Sequence, residues 1–312
     1  MRGSTSHAGG TAWRDFVVLH RLQYPLPIMY GCAAVWGAGF AAYHVEQVVT
    51  FAVLLACLGN IAGMLSGLAL NVVLDVDTDR RHQEKSYLAD AVERVGNRRA
   101  AAWIVGMAAG SVVAAFGAAA DTGSWWLCLA AVGTLLLHIA YNVDPVRLKR
   151  RGLYGPLVFA VAMVGGPFLL SYGAVGTELT PAAIPFVLAL IALNMGRTVW
   201  WSVPDHEADI RDAMATPVAR HGPGRALGIA CTILFAGVVL LFWALWWRFG
   251  VVLAVLGSTA EALLLIGMIR STRRVMAGQS LRAEHQRLRT MPLVAAGSVF
   301  LAALPLLAMT GA

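Results

Sequence analysis

The chain of 312 residues is 58% hydrophobic and only 13% charged, with a mean hydropathy of +0.67 and a formal net charge of +7. These values exclude a soluble globular domain and are typical of a polytopic membrane protein. The positive charge is concentrated in loops between apolar runs, so it indicates membrane topology and not a nucleic-acid partner.

The start of the chain differs in composition from the rest. Residues 1–15 are polar and contain glycine and serine, so we expect a disordered N-terminal tail. A short interfacial helix is expected from Phe16 to Tyr24, with Arg21 at the level of the lipid head groups. Residues 16–312 are then expected to form a single transmembrane domain.

Nine apolar runs are long enough to cross a bilayer core, which takes about 20 residues. They lie near residues 25–44, 50–74, 101–120, 124–142, 155–173, 182–203, 224–246, 250–270 and 292–310. The predicted fold is therefore all-α, with nine transmembrane helices in one bundle. Within the second run, Gly63 and Gly67 are interpreted as a site of close helix packing.

The loops alternate in charge along the chain. Arginine and lysine are concentrated after the second, fourth, sixth and eighth runs, whereas the opposite loops hold only Arg248. The positive-inside rule places the N-terminus and the basic loops in the cytoplasm and the C-terminus on the opposite side of the cell membrane. In the first basic loop, Tyr87, Leu88, Ala91 and Val92 follow helical spacing and predict a short amphipathic helix over a cavity mouth.

The second run ends in three polar residues spaced four apart. Asn71, Asp75 and Asp79 share one helical face, because positions i, i+4 and i+8 of an α-helix point the same way. Asp77 points away from that face. Neighbouring carboxylates repel each other and lose hydration near lipid, so a hard divalent cation with oxygen ligands is the natural counterion.

A second acidic motif ends the sixth run. Asp205 and Asp209 follow Asp75 and Asp79 by the same offset of 130 residues, which indicates two related four-helix halves plus a last helix. Either motif alone is interpreted as a solvated helix end. Together, on the same membrane face, they predict one shared metal site in a cavity that opens to the cytoplasm.

A basic segment accompanies the acidic motifs. Tyr141, Arg147 and Lys149 follow the fourth run, at the membrane face that the carboxylates share. Alone, the cations of this segment are interpreted as a positive-inside flank. Beside two carboxylate pairs they predict a diphosphate site, because Mg²⁺ bridges the anionic oxygens and arginine or lysine takes the remaining charge.

Three further polar residues lie inside the runs, where ionisable groups are costly. Arg197 lies about 12 Å deeper than Asp205 at a rise of 1.5 Å per residue. It either pairs with a carboxylate or reaches the diphosphate. Glu261, near the middle of the eighth run, is expected to line the cavity, and neither Glu261 nor His138 is assigned a role.

This ordered set of motifs resembles the UbiA superfamily of intramembrane prenyltransferases. The two acidic motifs and the Tyr-x-x-x-Pro-x-(Lys/Arg)-Leu-Lys segment of that family are matched by Asn71, Asp75 and Asp79, by Asp205 and Asp209, and by the segment from Tyr141 to Lys149. Val72 stands where many members carry an aspartate, and this departure leaves the acceptor open.

The resemblance implies Mg²⁺-dependent transfer of a prenyl group from a prenyl diphosphate to a lipophilic, aromatic acceptor within the membrane. It implies that the four motif aspartates hold the metal, and that substrate is bound by Asn71, Tyr141, Arg147, Lys149 and Arg197. The expected partners are the donor, the acceptor and membrane lipids. One alternative is a terpene cyclase of the same superfamily, which ionises the donor without an acceptor. A more distant alternative is a cation transporter.

Overall fold

The computed structural model describes residues 8–23, 25–81, 85–176, 178–279 and 283–310, and these ranges are built mainly from α-helices. In chain order the helices are α1 (Ala8–Leu19), α2 (Leu26–Ala41), α3 (Phe51–Leu74), α4 (Val76–Arg81), α5 (Ser86–Val95), α6 (Asn97–Thr122), α7 (Trp126–Asn142), α8 (Tyr154–Ala160), α9 (Gly166–Gly173), α10 (Ala183–Trp201), α11 (His206–Arg211), α12 (Pro217–Phe249), α13 (Val251–Met276) and α14 (Ala283–Thr310). A π-helical turn, Val161–Gly165, joins α8 to α9. The expected all-α fold is confirmed.

Seven helical segments of the described ranges are long and apolar enough to cross a membrane. They are Phe51–Leu74, Asn97–Thr122, Tyr154–Gly173, Ala183–Arg211, Pro217–Phe249, Val251–Met276 and Thr290–Thr310. Helices α2 and α7 are apolar but shorter, with 16 and 17 residues. Each of the nine apolar runs coincides with a helix, so a multi-pass membrane protein is confirmed. A crossing by all nine, and their division into two related halves, remain predictions.

A helix at the start of the chain replaces part of the disordered tail that composition suggests. Helix α1 begins at Ala8, whereas disorder was expected as far as residue 15; residues 1–7 lie outside the described ranges. Tertiary contacts order this segment. Leu19 is fully buried in a cluster with Val72, and the Arg94 guanidinium donates to both carboxylate oxygens of Asp15 at 2.8–3.2 Å.

Helix α5 is the amphipathic helix that the spacing in the first basic loop predicts. Its apolar side buries Leu88, Ala91 and Val92. These side chains face helices α1, α3, α4 and α6, which α5 contacts. The burial holds the loop between α4 and α6 against the end of the bundle, where the polar motifs lie.

Small residues bring α3 close to its neighbours, as the glycine pair predicts. A Cβ at Gly67 would overlap the imidazole ring of His138 on α7, and one at Gly63 would lie 3.0 Å from the Ser111 hydroxyl on α6. The absence of a side chain at Gly67 therefore lets α3 and α7 approach closely. His138 is buried in this contact, which gives it a packing role.

Both acidic motifs lie at breaks between helices. Asp75 ends α3, where its amide donates to the Asn71 carbonyl at 3.1 Å, and α4 begins at the next residue. The Asp79 amide donates to the Asp75 carbonyl at 2.7 Å, so the helical spacing of the motif survives the break. In the second motif, Asp205 closes a 3₁₀ turn, Val203–Asp205, between α10 and α11. Each break frees a carboxylate at the mouth of the bundle.

Candidate active site

A cavity of about 380 Å³ lies between the helices and joins the two acidic motifs. Of the site residues expected from the sequence, Arg147 alone does not line this cavity. Those that line it are Asn71, Asp75, Asp79, Tyr141, Lys149, Arg197, Asp205 and Asp209. The apolar part of its wall includes Leu26, Met29, Trp36, Leu68, Phe159, Met163 and Leu190. The cavity therefore has a charged end and an apolar interior, as an amphiphile with an anionic head requires.

The first acidic motif is bound by a hydrogen-bonded network centred on Asp75. The Lys149 ammonium donates to Asp75 Oδ1 at 2.5 Å, and Asn71 Nδ2 donates to Asp75 Oδ2 at 3.0 Å. Asn142 Oδ1 accepts from Asn71 at 2.8 Å and from Lys149 at 3.4 Å. Arg147 lies 3.4 Å from Asp75 Oδ1 and thus reaches the cavity through that carboxylate.

The second acidic motif is tied to the loop of the first. Lys85, just before α5, donates from Nζ to Asp205 Oδ1 at 3.0 Å. The Thr216 hydroxyl donates to Asp209 Oδ2 at 2.6 Å and fixes the orientation of that carboxylate. The Gly152 amide donates to the Ala215 carbonyl at 2.7 Å, which joins the basic segment to the loop after α11.

Burial sets the electrostatics of Asp79 and Lys149. The pKa of the Asp79 carboxyl is raised to about 6, chiefly by burial and also by the Asp75 charge, although the cations Arg21, Lys85 and Lys149 act to lower it. Asp79 Oδ2 is buried without a hydrogen-bond partner among the described residues. Burial lowers the pKa of the Lys149 ammonium, and its bond to Asp75 opposes that shift. The site is therefore short of counterions at Asp79.

The oxygen atoms of the two motifs suit Mg²⁺ chemically. Mg²⁺ prefers carboxylate oxygens and is usually bound by one or two carboxylates together with water and substrate phosphates. The buried, unpartnered Asp79 Oδ2 is a ligand atom of that kind. Among the described residues, no three His, Cys, Asp or Glu side chains are close enough to hold a metal ion by themselves. The site fits a metal that shares its coordination with an anionic substrate.

Two cations at the site were not expected from the sequence. Arg21 was assigned to the head-group level, yet it lines the cavity and donates from Nη2 to Asn71 Oδ1 at 3.3 Å. Lys85 belongs to the basic loop after the second apolar run, yet it binds Asp205. The rarity of lysine in the sequence could have indicated a role for Lys85, because Lys85 and Lys149 are the only lysines of the chain and both contact motif aspartates.

The residues expected inside the membrane divide between the cavity and its surroundings. Arg197 lines the cavity and pairs with Glu261, not with a motif aspartate, at 3.6 Å between Nη2 and Oε1. Glu261, which was expected to line the cavity, lies behind Arg197 and outside the lining. Trp201 lines the cavity, and Asp77 is exposed to solvent, as its helical phase predicts.

The fold is thus an all-α membrane bundle in which two acidic motifs line one cavity. The model of the UbiA prenyltransferase family matches residues 30–291, and the chain belongs to that family. The resemblance seen in the motifs is thereby confirmed.

Two curated relatives are similar in sequence. Homogentisate phytyltransferase from Synechocystis sp. is 30% identical over 207 residues, which are 64% of this chain and 63% of the relative. The bacteriochlorophyll synthase 33 kDa chain from Rhodobacter capsulatus is 29% identical over 116 residues, which are 36% of this chain and 38% of the relative. The chain thus matches less than two thirds of the length of either relative.

A solved structure shares the fold. A UbiA homologue from Archaeoglobus fulgidus, bound to GPP and Mg²⁺, superposes with a TM-score of 0.69 at 18% identity, over 95% of this chain and 99% of the other. The same homologue bound to DMAPP and Mg²⁺ gives a TM-score of 0.68 at 17% identity, with the same coverage.

Proposed function

We propose that this protein transfers a prenyl group from a prenyl diphosphate to a lipophilic, aromatic acceptor within the membrane, in a Mg²⁺-dependent reaction. The observation that carries the proposal is the cavity itself, whose two acidic motifs and cations occupy one end and whose remaining wall is largely apolar. The names of the relatives, a phytyltransferase and a bacteriochlorophyll synthase, support transfer of an isoprenoid chain.

The polar end is built to hold a diphosphate. Lys149 and Lys85 can exchange their bonds to Asp75 and Asp205 for bonds to phosphate oxygens, which form strong charge-assisted hydrogen bonds. The carboxylates released in this way become available as metal ligands, and Asn71 keeps Asp75 oriented. Bound Mg²⁺ supplies charge stabilisation for the departing diphosphate.

The apolar interior is suited to the prenyl chain and to the electron-poor carbon that forms as the diphosphate leaves. Tyr141 and Trp201 line the cavity beside the polar end, and the faces of aromatic rings attract cations. Apolar side chains around the reacting carbon limit the access of water, so an acceptor ring can capture the prenyl group before hydrolysis does.

The two alternatives from the sequence receive less support. Lysine ammonium groups contact Asp75 and Asp205, so a cation in such a pathway would meet positive charge beside these carboxylates. A cyclase would use the same donor site without an acceptor. The curated relatives that match this chain carry the names of a phytyltransferase and a bacteriochlorophyll synthase, and neither name is that of a cyclase.

Purified protein with Mg²⁺ and geranyl, farnesyl or geranylgeranyl diphosphate tests the proposal, with mass spectrometry of the extracted lipids. A hydroxylated aromatic acceptor should gain the mass of the prenyl group, and little product should form without the acceptor. A cyclic hydrocarbon or alcohol made from the donor alone would show a cyclase instead.

Variants of the acidic motifs test the site itself. Asp75→Ala and Asp205→Ala should abolish turnover. The matched control Asp77→Ala changes an exposed carboxylate outside the cavity lining and should retain turnover. Full activity in excess chelator would exclude Mg²⁺ dependence.

A further inference from the structure

The hydrogen bonds around Asp75 form a closed ring of four side chains. Lys149 Nζ donates to Asp75 Oδ1, and Asn71 Nδ2 donates to Asp75 Oδ2. Both donors also reach Asn142 Oδ1, which lies 2.8 Å from Asn71 Nδ2 and 3.4 Å from Lys149 Nζ. Asn142 is therefore the corner of the ring that lies opposite Asp75.

Asn142 itself does not reach the cavity. It is only 2% exposed and lies outside the cavity lining. Its Nδ2 donates to the His138 carbonyl of the same helix, α7, at 3.0 Å. Because this bond holds the amide nitrogen against the helix backbone, the amide oxygen is turned toward Asn71 and Lys149. Asn142 can thus act on a ligand only through these two side chains.

The contact with Asn71 is the stronger of the two, because 2.8 Å is an ordinary hydrogen-bond length and 3.4 Å is beyond it. The second hydrogen of Asn71 Nδ2 binds Asp75 Oδ2 at 3.0 Å. Asn71 Oδ1 accepts from Arg21 Nη2 at 3.3 Å. Both polar atoms of the Asn71 amide therefore have partners, and the amide cannot rotate without breaking bonds.

The two sides of the ring differ in what a diphosphate can do to them. In the proposed function, the diphosphate draws Lys149 away from Asp75, so that Oδ1 becomes free as a metal ligand. The other side runs from Asn142 through Asn71 to Asp75 Oδ2 and contains no cation. It can stay intact, and the carboxylate then keeps its orientation while its partners are exchanged.

We propose that Asn142 is a positioning residue, which holds the Asp75 carboxylate in its binding orientation through Asn71. A leucine at this position has nearly the same size but no acceptor, and it leaves one Asn71 hydrogen without a partner. The Asn71 amide can then rotate, and Asp75 loses the bond that orients it. The inference rests on the proposed function, in which Asp75 serves a metal-bound diphosphate.

Binding of an unreactive donor analogue tests this role without turnover. The probe is geranyl S-thiolodiphosphate with saturating Mg²⁺, and calorimetry of the detergent-solubilised protein gives its affinity. Asn142→Leu should bind the probe about tenfold more weakly than the wild-type protein, as expected when one hydrogen bond is lost and its donor stays buried. Asn142→Ala, which leaves room for a water molecule, is the second variant if the leucine variant does not fold.

The matched control removes another buried hydrogen bond between helices. The Ser66 hydroxyl of α3 donates to the Ile104 carbonyl of α6 at 2.9 Å, and Ser66 is buried outside the cavity lining. Ser66→Ala should therefore bind the probe as tightly as the wild-type protein does.

A double-mutant cycle shows whether the effect passes through Asn71. When Asn71→Ala is already present, Asn142→Leu should weaken binding by less than about twofold, because residues that interact give non-additive effects. When Lys85→Met is present instead, Asn142→Leu should keep its full tenfold effect, because Lys85 contacts Asp205 of the other acidic motif. A general loss of structure would weaken binding equally in both backgrounds.

The outcomes separate this inference from the proposed function. Equal affinities of the wild-type protein and the Asn142 variants, or a tenfold effect that persists beside Asn71→Ala, would overturn the inference and leave prenyl transfer unaffected. The expected non-additivity in a protein that forms no prenylated product would support the role of Asn142 and refute the proposed reaction. A wild-type protein that does not bind the probe would overturn both.

Discussion

The residues that decide the chemistry of the candidate site are its two lysines. Each ammonium group lies against one carboxylate of an acidic motif, Lys149 at Asp75 and Lys85 at Asp205, so one carboxylate of each motif is paired before any ligand enters. A diphosphate brings negative charge of its own, and a metal brings positive charge. In the proposed reaction, binding is an exchange of partners, in which the lysines contact the phosphates and the carboxylates contact the metal.

Removal of either ammonium group should therefore weaken the reaction without unfolding the protein. Lys149→Met or Lys85→Met should lower kcat/KM for the donor about 10- to 150-fold, as expected for the loss of one charge-assisted hydrogen bond of 1.5–3 kcal/mol. Steady-state assays with radiolabelled donor measure the change. Arg99→Met is the control, because Arg99 is an exposed cation on the neighbouring helix α6. Equal losses in all three variants would show that net charge, not position, matters.

The buried pair of Arg197 and Glu261 makes a separate prediction about stability. Glu261→Met or Arg197→Met should each lower the free energy of unfolding by about 3–5 kcal/mol, because the remaining charge is buried without a partner. The double variant Arg197→Met/Glu261→Met should recover most of this loss. Denaturant unfolding in detergent gives the three values. Losses that simply add in the double variant would mean that the two side chains do not interact.

At the scale of elements, the approach of α3 to α7 depends on one missing side chain. Gly67→Ala places a Cβ within the His138 ring and should destabilise the protein by about 1–3 kcal/mol through overpacking. Gly106→Ala on α6 is the matched control, since no atom lies within 4 Å of a Cβ there. The control should be neutral or slightly stabilising, because alanine favours a helix more than glycine does. Melting temperatures that are equal for the two variants would contradict the packing.

The elements also show what the sequence could and could not predict. Apolar runs and helical spacing predict the spans and α5, because burial of one face leaves a periodic signal. The part of helix α1 before Phe16 left no such signal, since its order comes from contacts with distant residues, such as the bonds between Asp15 and Arg94. The acidic motifs could be recognised from spacing. The partners Lys85 and Glu261 could not, because neither contact follows from local position in the chain.

For the whole molecule, the alternation of loop charge predicts a definite orientation, which the fold alone does not fix. Single cysteines at Asp90 and Gln279, which are exposed, should react with a membrane-impermeant maleimide only from the cytoplasmic side. A cysteine at Glu178, also exposed, should react only from outside. The four native cysteines are first replaced to remove background labelling. Labelling of any site from both sides would contradict the nine-span topology.

The ion pair between α10 and α13 has a consequence for how the protein is made. Ribosomes extend a chain at about 5–20 residues per second, and Glu261 is synthesised 64 residues after Arg197. The segment Ala183–Arg211 has the lowest hydropathy of the seven membrane-crossing candidates. While α12 is synthesised, Arg197 in this segment therefore has no Glu261 to pair with. An arginine at the centre of a lone helix costs about 2.5–3.5 kcal/mol to insert. Stable insertion of α10 thus depends on α13, which is synthesised later. A nascent chain that ends in α12 should therefore leave the bilayer more readily than one that includes α13.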